Sequence, residues 1–160
     1  MSGVLGIDLG ERRIGIAVGE HDAGRARPLT TIRRGRTPAA DGEALARIAR
    51  EHAVDEIVIG LPLDASGVEG TQAGLTRQWA AAIGPVVGLP ISFRDERLTS
   101  HVAEQRLGPM KRGRSGGPPT AAQRDEYRAR VDREAAAIIL QDELDARAAR
   151  LQRRHDTEAS

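Results

Sequence analysis

Apolar and polar positions near the start of the chain alternate at period two. Residues 4–9 (VLGIDL) and 14–18 (IGIAV) both read as strands with two unlike faces. In the second run Ile14, Ile16 and Val18 form a bulky face, and Gly15, Ala17 and Gly19 a very small one. The charges Glu11, Arg12 and Arg13 follow Gly10 between the two runs, as a hairpin turn does. Residues 28–33 predict a third strand, and the period then changes to that of a helix over 41–52, with Leu45, Ile48 and Ala49 on one face. EIVIG at 56–60 is a short apolar strand, and LPLDASGVEG after it is loop chemistry. A helix over 71–83, a strand over 90–94 and a helix over 99–107 follow, the last with Thr99 or Ser100 able to cap it.

Residues 108–120, with four glycines and three prolines, read as a mobile loop. A closing helix over 131–150 carries the stripe Ala135, Ile138, Ile139, Leu144 and Ala148. Residues 1–150 thus make one domain, and residues 151–160 a frayed tail. Three hairpin-linked strands followed by alternating helix and strand predict an α/β fold. Its mixed five-stranded sheet has the first three strands antiparallel and is flanked by helices.

Composition narrows the partners. With 24 basic and 23 acidic side chains the net charge is +1, so the overall balance selects neither nucleic acid nor membrane. The absence of cysteine removes disulfides, thiolate metal sites and cysteine nucleophiles. No apolar run approaches the roughly 18 residues of a membrane span, so a cytoplasmic protein without membrane attachment is expected. Phe93, Trp79 and Tyr127 are the only aromatics, too few to grip a single strand by serial base stacking.

Three carboxylates stand out. Asp8 shares a strand face with Val4 and Gly6, where the missing side chain of Gly6 and the small face of the next strand suggest room for a metal and phosphate. Glu96 follows the fifth strand at its carboxyl end, the edge where α/β sheets bind ligands. Asp132 opens the closing helix, on the face of Ala136 and Ile139. Acids from separate segments suit a divalent cation, which prefers phosphate oxygens for its remaining ligands. Two such ions can drive phosphodiester hydrolysis. Each acid also has a simpler reading: Asp8 as an anchor for the Gly10 turn, Glu96 as a partner of Arg94 or Arg97, and Asp132 as a helix cap. Between residues 109 and 133 seven basic residues face three acids, a local excess suited to following a sugar-phosphate backbone.

The motifs GIDLG (6–10), RRIGIAVG (12–19), GLPL (60–63), GVEG (67–70), DERLTS (95–100) and VDREAAAIIL (131–140) together resemble the YqgF family. These are pre-16S ribosomal RNA nucleases, also described as Holliday-junction-resolvase-like. The resemblance implies a ribonuclease H-like fold and a nuclease using Mg²⁺ or Mn²⁺, with Asp8, Glu96 and Asp132 as catalytic acids and metal ligands. Arg97, Thr99, Lys111, Arg112 and Arg114 would approach nucleic acid, with precursor ribosomal RNA as substrate and DNA as the alternative, in a monomer or homodimer. Two departures are visible: Asp64 where the family usually has asparagine, and Ser100 where threonine is common. Two other functions fit the same fold, a dimeric DNA junction resolvase and a non-catalytic ribosome-assembly factor. IDLG also resembles the first phosphate loop of actin-like and sugar-kinase ATPases, but Glu11-Arg12-Arg13 stands where those enzymes have small or hydroxyl residues.

Overall fold

The computed structural model describes residues 2–22, 24–96, 99–113 and 115–159. In chain order the elements are β1 (Gly3–Leu9), β2 (Arg13–Glu20), β3 (Ala26–Arg33), α1 (Pro38–Glu51), β4 (Val54–Pro62), α2 (Thr71–Val87), β5 (Ile91–Glu96), α3 (Thr99–Leu107) and α4 (Ala121–Glu158). The strands form one five-stranded sheet in the order β3-β2-β1-β4-β5. β1, β2 and β3 pair antiparallel, whereas β4 runs parallel to β1 and β5 parallel to β4. This is the mixed, helix-flanked α/β sheet that the pattern predicts, with its first three strands antiparallel.

Strand alternation sorts the core into two layers. Leu5, Ile7, Ile14 and Ile16 pack with Leu45 of α1 and Trp79 and Ile83 of α2. Val4, Ala17 and Val58 pack on the other face against Ala136, Ile139, Leu140 and Leu144 of α4. α3 leans on α4 through Ala103, Val131, Ala135 and Ile138.

The small face of β1 and β2 therefore has a different use from the one expected. A Cβ added at Gly6 would sit 2.6 Å from Leu140 Cβ, and one at Gly15 would collide with the backbone carbonyl of Asp132. The missing side chains admit the helix α4, not a metal and phosphate. Period two reveals that a face is small and says nothing of what fills it.

Strands β4 and β5 run farther than expected, so Glu96 is the last residue of β5 rather than a residue beyond it. The closing helix begins at Ala121 instead of residue 131, because Thr120 accepts from Gln123 N and Gln123 reaches back to the Thr120 amide, a full capping box. Asp132 consequently lies about three turns inside α4 and is neither cap nor first-turn residue. Residues 151–158, expected as a frayed tail, continue the helix with exposed side chains. The loop of residues 108–120 contains no strand or helix among its described residues. It is tied down at carbonyls: the Tyr127 hydroxyl donates to Gly108 O at 2.7 Å and the Arg124 guanidinium to Pro119 O at 2.7 Å.

Candidate active site

β1 and β5 end at the same edge of the sheet, and each delivers an acid there. Asp8, the penultimate residue of β1, and Glu96, the last of β5, line one cavity of about 220 Å³ together with Leu9, Gly60, Gln72 and Thr99. Its floor is made by Ile139 of α4. Asp8 does not anchor the Gly10 turn: Gly10 N donates to Arg13 O at 2.8 Å, and Gly10 O accepts from Arg34 at 3.1 Å. Among the described residues no donor reaches the Asp8 carboxylate. Burial, and then the negative charge of Asp132, push its pKa up to about 7.

Glu96 is raised to about 7 as well, first by burial. The Thr99 hydroxyl, donating to Oε2 at 3.0 Å, opposes this, as does Arg94, whose Nε stands 3.7 Å from Oε1. Asp142 of α4 pushes the other way, through its charge and a hydrogen bond. Leu63 N donates to Glu96 O at 3.0 Å, which fixes the strand end to the loop after β4. That loop is shaped by Asp64, whose carboxylate accepts from Ser66 N, Ser66 Oγ and Val68 N. These bonds, the Ser66 hydroxyl foremost, hold the Asp64 carboxyl below its ordinary range.

Asp132 approaches from the other side of Asp8. Its Oδ2 accepts from Arg13 Nε at 2.8 Å, in a second cavity of about 380 Å³ lined by Arg12, Arg13 and Arg128 as well as Glu11. Among the described residues no three His, Asp or Glu side chains are gathered closely enough to hold an ion. Asp132 is instead paired with Arg13.

The basic positions expected at nucleic acid divide. Arg97 and Arg114 lie outside the described residues. Thr99 lines the acid cavity, but its hydroxyl is engaged by Glu96. Lys111 and Arg112 are exposed on the 108–120 loop, where the Arg112 guanidinium donates to Gly116 O at 3.4 Å. Sequence reasoning did not pick out Gln72 in the first turn of α2, the cationic wall of Arg12, Arg13 and Arg128, or Asp142. A signal for Asp142 did exist, since it stands four residues after Ile138 on the edge of the apolar stripe of α4.

The model of the family described as "RuvX: Holliday junction resolvase" matches residues 2–146. The chain belongs to the RuvX family. A protein of Anaeromyxobacter sp. (strain K) named "Putative pre-16S rRNA nuclease" is 45% identical over 144 residues, spanning 90% of the present chain and 97% of that one. A protein of the same name from Chloroflexus aurantiacus (strain ATCC 29366 / DSM 635 / J-10-fl) is 39% identical over 153 residues, 96% and 93% of the two chains. Thermus thermophilus RuvC, solved with a Holliday junction substrate, aligns with a TM-score of 0.47 at 15% identity, covering 92% of this chain and 96% of that one. Because RuvX and YqgF are one family, the resemblance carried by the sequence motifs holds.

Proposed function

We propose that this chain is a nuclease that hydrolyses phosphodiester bonds with a divalent cation, Mg²⁺ or Mn²⁺, and that it processes the 5′ end of the 16S ribosomal RNA precursor in the cytoplasm. The observation that carries this reading is the shared cavity: Asp8 and Glu96 open into about 220 Å³ at the sheet edge, both with carboxyls raised to about 7. The burial of Asp8 is met by no donor among the described residues and that of Glu96 only in part, by Thr99 and Arg94, and a hard dication with oxygen ligands supplies what the pair lacks. Asp8 and Glu96 would hold it, with Asp132, now engaged by Arg13, as the third acid. Such an ion, when bound, supplies an activated water and charge neutralisation at the leaving oxygen.

The chain's own residues do the rest. Thr99 fixes one oxygen of Glu96 and leaves Oε1 toward Arg94. Arg12, Arg13 and Arg128 line the cavity on the far side of Asp132, a place where guanidinium groups suit phosphate. Exposed Lys111 and Arg112 add two cations on the 108–120 loop for contacts that position a backbone without reading bases. The precursor ribosomal RNA assignment is supported by the names of the relatives, which match the chain over nearly its whole length.

The test is to incubate the wild type and Asp8→Asn with precursor ribosomal RNA, single-stranded DNA and a four-way junction, with Mg²⁺ or Mn²⁺ and with chelator. Metal-dependent cutting of the precursor by the wild type alone is the expected result. Preference for the junction would replace RNA processing by DNA resolution, and binding without turnover would leave an assembly factor.

A further inference from the structure

A separate cavity of about 340 Å³ adjoins the acid cavity and shares Leu9 and Gln72 with it. Its volume lies in the range of small-ligand clefts, roughly 300–1,000 Å³. The walls are Leu9, Glu11, Arg34, Gln72, Leu75 and Gln78, over the buried ring of Trp79. Three observations describe what it could take.

The first is rigidity. Trp79 Nε1 donates to Asp41 Oδ2 at 3.0 Å, Asp41 Oδ1 accepts from Gly35 N at 2.6 Å, and Arg34 reaches both Asp41 (3.9 Å) and Gly10 O (3.1 Å). The floor and the cation are thus set before any ligand arrives. The second is uncommitted polarity: among the described residues the side-chain amides of Gln72 and Gln78 make no hydrogen bond. Each amide offers both donors and an acceptor, and Glu11 adds an acceptor for an exocyclic amine. The third is an exposed apolar plate, since Leu75 is 51% exposed although it stands beside a cavity. A flat heterocycle with polar edges matches this set, whereas a phosphate would gain Arg34, itself shared with Asp41 and Gly10 O, and would meet Glu11 and two leucines besides.

We infer that this cavity is a base-recognition subsite, which receives the unstacked base of a nucleotide flanking the scissile phosphate and so sets where the chain cuts. The inference rests on the nuclease reading and gives that site its specificity. Recognition through base edges and an aliphatic plate also fits a chain with so few aromatics.

The experiment uses short RNA and DNA oligonucleotides of one sequence whose cleavage position has been mapped with the wild type. In each series the nucleotides flanking that position carry every base in turn, or none. Removing the base should raise KM about 3- to 10-fold with little change in kcat, the size of one or two lost hydrogen bonds. Gln78→Ala and Leu75→Ser, both at exposed positions, should raise KM on the intact oligonucleotide by a similar factor and add nothing on the abasic one. Equal penalties in RNA and DNA are expected, because the contacts are to the base. Wild-type KM on the abasic substrate, or penalties that combine in full, would overturn the subsite. Fluorescence anisotropy with Asp8→Asn separates the two readings. Base-dependent binding with no cleavage by the wild type would remove the nuclease and leave the subsite, and cleavage without base dependence would do the reverse.

Discussion

Asp41 and Asp8 are two carboxylates withdrawn from water on opposite faces of one sheet, and they are treated in opposite ways. Asp41, 2% exposed, accepts from Gly35 N and Trp79 Nε1 and faces Arg34, so its charge is met from several directions. Asp8 meets no donor among the described residues and has the charge of Asp132 for a neighbour. Burial alone therefore does not mark a functional acid. What singles out Asp8 as the candidate is burial that the fold leaves uncompensated, a cost that a bound cation would offset.

The strongest way to break this contrast is to neutralise each acid. Asp8→Asn should lower cleavage about 1000-fold or more, measured as single-turnover rates on precursor RNA. Its melting temperature at pH 8 should nevertheless exceed that of the wild type, since a poorly solvated charge has been removed. Asp41→Ala should do the opposite. It leaves the Gly35 amide, the Trp79 indole and Arg34 without their partner and costs about 3 kcal/mol in urea unfolding, while the folded fraction keeps its kcat.

A pH titration sharpens the same contrast. The Asp8 carboxyl moves from 3.8 unfolded to about 7 folded, so the folded chain binds that proton more tightly. Glu96, raised from 4.5 to about 7, acts in the same sense. Without metal, their contribution should favour the fold most below pH 4, decline between pH 4 and pH 7, and have vanished above that. Added Mn²⁺ should restore stability at pH 8, by about 2.7 kcal/mol at a hundredfold excess over Kd, and Asp8→Asn should lose that gain in differential scanning calorimetry. The smallest effect expected is at Arg13. Arg13→Gln frees Asp132 from its 2.8 Å partner and should lower the Mn²⁺ concentration for half-maximal activity a few-fold, roughly the worth of a part-exposed ion pair. An unchanged metal requirement would mean that the pairing does not compete with the ion.

How much of this could be read from the chain depends on where each signal resides. Asp8 is legible because a carboxylate interrupts an alternating strand, and Glu96 because strand ends in α/β sheets face ligands. The order of strands follows from hairpin spacing and from the switch to helical period. The start of α4 escapes because its first turns are rich in arginine and lack an apolar stripe, so only the Thr120 and Gln123 capping box announces it. The arginine held by Asp132 is 119 residues away in sequence, and the acid beside Glu96 comes from a different element altogether. Such pairings arise from tertiary packing, and no local pattern encodes them.

The register of β1 on β2 puts Gly15 directly opposite Asp8, and the carbonyl of Asp132 lies where a Gly15 side chain would be. The interval between the backbones that carry these two acids is thus gauged by main chain resting on main chain. Thermal motion of side chains, which blurs most distances in a protein, has little purchase on it. Gly15→Ala would insert a shim of one carbon into that gauge. The expected mark is a lost alignment of Asp132 with Asp8, at a position that touches neither substrate nor metal.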